Sequence, residues 1–262
     1  MAEVPGSVDA SAPALHFELP GGGHALFTTR AHGNLSTLRG TGHEHGRRAR
    51  EELCDELGLR WLCASRQVHG TVVQRVRAQD DSGGQAVALD ADGHATALRG
   101  VGMMVLVADC LPVILGSEGA VAALHAGWRG LAGGILEEGV RALRALGGGG
   151  EIVAVIGPGA GPCCYEVGPE VHAAFGHRSP SPGHAVGRIG ARPGVGRRRM
   201  GRSIDLPALA AERLAAAGVA RVQRVDVCTI CDERLYSHRR EGSRAGRQAG
   251  IAWLSVERTE ER

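Results

Sequence analysis

Three apolar runs crowded into residues 101–130 restrict the fold more than any other part of the chain. The first, 101–107, is bounded by Gly100 and by Asp109-Cys110. The second, 112–115, leads into Gly116-Ser117-Glu118-Gly119, and the third, 120–124, ends at His125. Runs this short suit buried strands and fall well below the roughly 20 residues of a membrane helix. The links between them are too short for a crossover helix, so neighbouring strands are expected to pair antiparallel. The polar link 116–119 predicts a β-hairpin. With its turn centred between Ser117 and Glu118, Cys110 lies opposite His125, at a Cβ separation of about 4.5–5.5 Å. Pro112 has no N–H to donate, which places it at the end or edge of the ladder.

The rest of the chain follows the same rhythm. Strands are expected over 15–19 and 25–29, on either side of three glycines. A helix over 47–57 stops at Gly58, and a strand over 61–68 delivers His69. Another strand spans 71–76, and the 87–97 stretch turns at Asp90 and Asp92. A helix is predicted over 131–146, closed by glycines 147–150, then a strand over 152–156 and a helix over 169–175. Asp205 is a good N-cap for a helix over 206–217 with Pro207 in its first turn, and strands follow over 222–227 and 248–254. Residues 1–13 read as a flexible N-terminal tail, and 176–202 as a mobile segment rich in Arg, Gly, Pro and Ser. This pattern predicts an α+β fold: a single catalytic domain over 14–262, built of mixed or antiparallel sheets with flanking helices.

Composition narrows the chemistry. All 30 basic side chains are arginine. That excludes Schiff-base lysines and a P-loop lysine, so any phosphate must be held by arginine, main-chain N–H groups or a metal. A net charge of +2 points to no nucleic-acid partner, and no run suits a membrane. Seven scattered cysteines and an N-terminus without a basic, apolar leader predict a reducing, cytoplasmic setting.

His69, Cys110 and His125 are each expected at the end of an apolar strand. Two imidazoles and one thiolate suit zinc and leave a fourth coordination position for substrate. The same Cys110 and His125 also suit a nucleophile–base pair, and a bound metal would occupy the sulfur that a nucleophile needs. Gly127-Trp128-Arg129-Gly130 opens a helix directly after His125, an arrangement that holds anions through N–H groups and Arg129; Trp128 offers a stacking face. Arg30, ending the 25–29 strand, is a second anion candidate. Asp109 is a candidate to orient a ligand or move a proton, and Gln67 to contact substrate. Cys228-x-x-Cys231 has metal or redox spacing, but it lacks a second such pair along the sequence and reads as two semi-buried thiols. His43-Glu44-His45, in a Gly- and Arg-rich loop, reads as a surface pair.

Several segments together carry a family likeness: Phe27-Thr28-Thr29-Arg30, Arg66-Gln67-Val68-His69-Gly70, Ala108-Asp109-Cys110-Leu111-Pro112 and His125-Ala126-Gly127-Trp128-Arg129-Gly130. To these are added GPGAGPCCYEVGPEV (157–171), Ile204-Asp205-Leu206, CTICDERLYSHRREG (228–242) and GRQAGIAWL (246–254). In this order they resemble the YfiH family of purine nucleoside phosphorylases, also described as multicopper polyphenol oxidases or laccases and linked to peptidoglycan editing. The resemblance implies a zinc site at His69, Cys110 and His125, with copper as the alternative metal. It also implies a sandwich fold shared with a cysteine-hydrolase-type toxin domain, and phosphorolysis of adenosine, inosine, guanosine or methylthioadenosine, with adenosine deaminase activity beside it. The alternatives it leaves are a copper-dependent polyphenol oxidase, a cysteine-type hydrolase and a non-catalytic zinc-stabilised binding protein whose fourth ligand is Cys228 or Cys164. The chain departs from the family pattern in a contracted 31–46 segment, which is expected to reshape the substrate pocket.

Overall fold

Strands β6 (Val101–Val107), β7 (Leu111–Glu118) and β8 (Ala120–Ala126) form from the three apolar runs, and nearly every residue in them is buried. The computed structural model describes residues 14–37, 43–77, 90–176, 187–189 and 203–256. The remaining strands are β1 (Ala14–Leu19), β2 (Gly23–Thr28), β3 (Trp61–Cys63), β4 (Val73–Val76), β5 (Gly93–Thr96), β9 (Gly149–Ile156), β10 (Gly187–Ile189), β11 (Arg221–Val225) and β12 (Gln248–Leu254). The helices are α1 (His43–Leu57), α2 (Trp128–Gly133), α3 (Ile135–Ala145), α4 (Pro169–Ala174), α5 (Leu206–Ala216) and α6 (His238–Glu241). The expected tail over 1–13 lies outside the described residues. So does the 176–202 segment, except for Gly176 and β10.

Two mixed sheets carry the architecture, one in the order β1-β2-β12-β6-β3 and the other β10-β11-β9-β7-β8-β5-β4. They stack face to face, and the period-two alternation of the strands divides three apolar layers between them. Phe17, Phe27, Met103 and Val105 from the first sheet meet Ile114, Val121, Ala123 and Val155 from the second. On the opposite face of the second sheet, Leu111, Val113, Leu115 and Leu124 pack on Leu136, Leu143 and Leu209 of α3 and α5. On the outside of the first sheet, Met104, Ile251 and Trp253 pack on Leu53 of α1. Strands covered on both faces need apolar residues at consecutive positions, which is why 101–126 reads as nearly continuous hydrophobicity. The α+β class with mixed sheets and flanking helices is therefore the observed one. Among the described residues, no helix is long and apolar enough to cross a membrane.

Four local expectations are corrected. Ser117 pairs with Ala120, and Pro112 rather than Cys110 with His125, so Glu118-Gly119 forms the turn. Gly119 supplies the positive φ of 79° at the second turn position, as a type II turn requires. The ladder starts at Leu111, and Cys110 sits in the bend that follows β6. The strand expected over 61–68 is only β3, and His69 lies in an irregular segment. The helix expected over 131–146 is two helices, because Gly134 (φ 102°) is left-handed at the join. Finally, α1 begins at His43, so the 43–45 triplet is its first turn rather than a loop.

Candidate metal centre and substrate cavity

His125 is the next-to-last residue of β8, on the face shared with Val121 and Ala123, and therefore points between the two sheets at one end of the sandwich. Cys110 arrives from the bend between β6 and β7, where Asp109 adopts a positive φ of 95°. His69 arrives from a loop and is itself left-handed, at φ 61°. The ligand atoms of these three residues all lie within 4.8 Å of one another, and Cys110 Sγ is 3.8 Å from His69 Nε2. Zinc bonds of about 2.3 Å to sulfur and 2.0 Å to nitrogen give a tetrahedral S···N edge of about 3.6 Å. The donor set and its spacing thus fit a single zinc ion. His125 is buried, Cys110 half-buried and His69 exposed, which leaves the fourth position toward the outside.

A carboxylate that the sequence marks only as a turn residue organises this cluster. Asp92, fully buried between β4 and β5, accepts from His125 Nδ1 at 2.7 Å and from the His69 N–H at 2.9 Å through Oδ1. Its Oδ2 accepts from the Gly70 N–H at 2.7 Å and the Val68 N–H at 3.1 Å. Three successive main-chain N–H groups therefore wrap one carboxylate, and this holds the left-handed turn that presents His69. The bond to Nδ1 leaves His125 Nε2 for Cys110 or a metal. Gly130 completes the arrangement: a Cβ there would stand 2.8 Å from the Gly70 carbonyl, so only glycine lets α2 approach this loop. The signal in the sequence was an acidic turn residue directly before the Gly93–Thr96 strand.

Electrostatics follow from this geometry. Burial pushes the Cys110 thiol up, but hydrogen bonds and charge from His125 and His69 outweigh it and bring the thiol down to about 6. Burial pulls His125 down, while Asp92 and Cys110 lift it to about 9. Burial raises Asp92, and the His125 and main-chain donors more than offset that, holding it below the usual carboxylate range. Without a metal these shifts favour a thiolate–imidazolium pair, and binding of a cation would release the imidazolium proton.

The centre opens into a cavity of about 670 Å³. Arg50, Arg66, Arg129, Arg239 and Arg247 contribute to its wall, against one carboxylate, Asp109, among the described lining residues. Arg66 is paired with Asp90 at 2.7 Å. Arg239 donates to the Glu166 carbonyl and lies 4.8 Å over the Tyr165 ring. Arg129 is exposed and stacks 4.3 Å over Trp128, with no carboxylate in ion-pair contact among the described residues. Trp128 and the unexpected Tyr165 supply flat faces.

Three expected site residues are occupied elsewhere. Arg30 is absent from the cavity wall: its guanidinium is ion-paired to Glu241, donates to the Leu235 carbonyl at 3.2 Å and stacks on Tyr236. Gln67 lines the cavity, but its amide is clamped to Leu106 by bonds of 2.8 Å to both N–H and carbonyl, so it extends β6 rather than presenting a free head group. Asp109 accepts from Thr229 Oγ1 and from the Arg239 N–H, each at 2.7 Å, and so anchors the bend that carries Cys110. Gly127 sits against the centre itself: a Cβ there would meet His69 Cδ2 at 2.8 Å and Cys110 Sγ at 3.1 Å.

The expectation for Cys228-x-x-Cys231 also changes. Cys163 and Cys164 supply the missing second pair, and the four sulfurs lie within 4.8 Å of one another, as a group separate from the centre. Cys228 and Cys164 are thus placed with each other rather than as a fourth ligand beside His69.

A protein family described as multi-copper polyphenol oxidoreductase laccase matches residues 22–255 of the chain. A purine nucleoside phosphorylase of Xylella fastidiosa strain Temecula1 is 41% identical over 246 residues, covering 90% of this chain and 88% of that protein. The purine nucleoside phosphorylase YfiH of Escherichia coli K12 is 35% identical over 199 residues, covering 74% and 73%. The crystal structure of YlmD from Geobacillus stearothermophilus superposes with a TM-score of 0.75 at 28% identity, covering 97% of this chain and all of that one.

Proposed function

The chain belongs to the multi-copper polyphenol oxidoreductase laccase family, and from that premise and its likeness to the relatives named above we propose that it is a zinc-dependent purine nucleoside phosphorylase. Residues 14–262 act as one catalytic domain. The observation that carries this reading is the convergence of His69, Cys110 and His125 beside an arginine-lined cavity, in a chain 41% identical to a relative bearing that name. A purine nucleoside and phosphate give free base and ribose 1-phosphate. A phosphate oxygen bonds to the anomeric carbon, and the glycosidic C–N bond breaks with its electron pair leaving on the base, which takes up a proton.

Held by the three ligands, zinc supplies Lewis acidity and fixed positive charge at one end of the cavity. The chain's own residues do the rest. Arg129, together with the main-chain N–H groups at the start of α2, holds the phosphate where positive charge develops on the ribose. Trp128 and Tyr165 offer apolar faces to the purine. Asp92 fixes the ring orientation of His125 and the turn of His69, while Asp109 and Gln67 position the segments on either side. The donor set argues against a multicopper oxidase. Such a centre needs many clustered histidines, and among the described residues the other donor cluster is made of cysteines.

The test is incubation of the purified protein with adenosine or inosine, with and without phosphate, followed by chromatography. Base and ribose 1-phosphate appear only with phosphate, and Cys110→Ala loses both zinc and the reaction. Phosphate-independent conversion of adenosine to inosine would instead reveal a deaminase, and full phosphorolysis by Cys110→Ala would refute the assignment.

One observation favours a second reading. Cys110, His125 and Asp92 are aligned as a nucleophile, base and orienting carboxylate, with the thiol lowered to about 6. This is the geometry of a cysteine hydrolase. His69 separates the two: a triad keeps its activity in His69→Ala, whereas a metal centre loses it.

A further inference from the structure

Cys163 and Cys164 follow β9 in the Gly157–Val167 connection, and Cys228 and Cys231 follow β11, the parallel neighbour of β9. Strands side by side and running the same way release their following loops at the same end of the sheet. The two loops are joined there by an isolated bridge between Gly159 and Cys228 and by the Thr229 N–H, which donates to the Gly159 carbonyl at 3.0 Å. Each loop is a tight turn. Tyr165 and Cys164 donate to the Gly161 carbonyl, and Asp232 and Cys231 donate to the Cys228 carbonyl. Each turn thereby directs both of its cysteines toward the other loop. Cys164 Sγ is 3.0 Å and Cys163 Sγ 3.6 Å from Cys231 Sγ, and all four sulfurs lie within 4.8 Å. The Gly161 N–H donates to Cys228 Sγ at 3.2 Å, and the Ile230 and Cys231 N–H groups also reach that sulfur. Main-chain donors aimed at a sulfur favour its thiolate form.

We infer that Cys163, Cys164, Cys228 and Cys231 form a second metal site, a closed four-thiolate site for one zinc ion that is structural rather than catalytic. Zinc–sulfur bonds of about 2.3 Å place tetrahedral sulfurs about 3.8 Å apart, within the range these sulfurs already span. The spacing suits a mononuclear ion; the bridging irons and sulfides of a cluster would hold the four cysteines farther apart. Four protein ligands leave no open position. On binding, the ion displaces the thiol protons to solvent. It staples the segment carrying Tyr165 to the segment carrying Thr229, whose hydroxyl holds Asp109 beside Cys110. The four-cysteine ion would therefore fix one wall of the cavity from outside it.

Metal analysis of the full chain, purified under reducing anaerobic conditions and dialysed with zinc, tests this. About two equivalents of zinc per chain are expected. His69→Ala combined with His125→Ala should retain one, and the X-ray absorption of that variant should show an all-sulfur shell at about 2.3 Å. Cys228→Ser with Cys231→Ser should also retain one, now in a mixed nitrogen and sulfur shell. Should the serine variant not fold, thiol alkylation of the native wild-type protein decides. The four cysteines should resist iodoacetamide until zinc is chelated, and then react. One equivalent of zinc that disappears with the two histidines would overturn the inference without touching the histidine centre. Free alkylation of the four thiols in the zinc-loaded protein, or a disulfide among them in the anaerobic preparation, would overturn it equally.

Discussion

Replacing Asp92 by asparagine tests the proposed organisation of the centre most directly. The side chain is fully buried and accepts from four N–H groups, two on each oxygen. An amide of the same shape has one oxygen and one NH2 group, so it satisfies only one pair. If its oxygen takes the Oδ1 position, His125 and His69 keep their bonds, while the Val68 and Gly70 N–H groups face another donor. If it turns over, His125 Nδ1 must accept from the amide, and the ring proton moves to Nε2, the atom needed for a metal. An unpaired N–H costs about 1–3 kcal/mol when fully buried, and the Val68 and Gly70 bonds are only part-buried, so the lost pair costs at most about 2–6 kcal/mol of a typical 5–15 kcal/mol total. Either orientation also disturbs a ligand, and loss of such a supporting group lowers metal affinity by about 10–100-fold. Competition with a chromophoric chelator measures the affinity, and urea unfolding at pH 7 measures the stability. Asp90→Asn is the control, because that exposed carboxylate pairs with Arg66 at the surface and should change neither reading appreciably. An Asp92→Asn protein with wild-type zinc affinity and wild-type stability would refute the reasoning.

Three further outcomes are expected. Burial holds fully buried His94 at about 4, against 6.5 in an unfolded chain. Above pH 6.5 the ring is neutral in both states and has no effect; below it the unfolded chain takes up a proton that the folded one refuses, so stability falls until about pH 4. Between pH 7 and 5 the loss is about 2 kcal/mol. His94→Gln should lose that much less over the same interval in urea unfolding, and equal slopes would exclude the mechanism. Gly127→Ala suits the local backbone (φ −70°, ψ 164°) but places a methyl against His69 and Cys110. Zinc should be released at least about tenfold more readily to a chelator, with about 1–3 kcal/mol or less lost in folding; unchanged zinc retention would contradict the tight approach of Gly127. Arg129→Ala should raise the KM for phosphate at least about tenfold with little change in that for nucleoside, because a charged hydrogen bond is worth about 1.5–3 kcal/mol; an unchanged phosphate KM would remove Arg129 from the site.

The sandwich was legible in the chain because its strands are buried on both faces and β6 to β8 therefore read as near-continuous apolar runs. The hairpin register was not, because it depends on which glycine of 116–119 takes the left-handed conformation. Both Gly116 and Gly119 were available, and Gly119 takes it. The 131–146 helix kept its apolar spacing across Gly134 and so concealed the break. His69, Cys110 and His125 stood out by residue type, yet the strand expected to deliver His69 ends at Cys63. A buried carboxylate shapes that segment through main-chain N–H groups, which leave no trace in side-chain pattern. Arg30 and Gln67 were plausible by type and are occupied by contacts with Glu241 and Leu106, partners far away along the chain. The second cysteine pair was hidden for the same reason: 163–164 and 228–231 meet only because β9 and β11 are parallel neighbours.

A common construction underlies these cases. The three candidate ligands come from a loop, a bend and a strand end, and no single element could hold them in register. Asp92 ties the His69 loop to His125, and Asp109 ties the Cys110 bend to Thr229 and to the first turn of α6. Each carboxylate is buried, each has its acceptors filled by the chain, and each supports a segment that contains a positive φ. Strained backbone at His69 and Asp109 persists only where surrounding bonds outweigh its cost of about 1–3 kcal/mol. Here the compensating bonds are those to the two carboxylates. The carboxylates of Asp92 and Asp109 are thus engaged by the chain itself, and the charge the cavity wall has to offer comes chiefly from its arginines. An anionic co-substrate fits that division, since a free carboxylate in the wall would repel it.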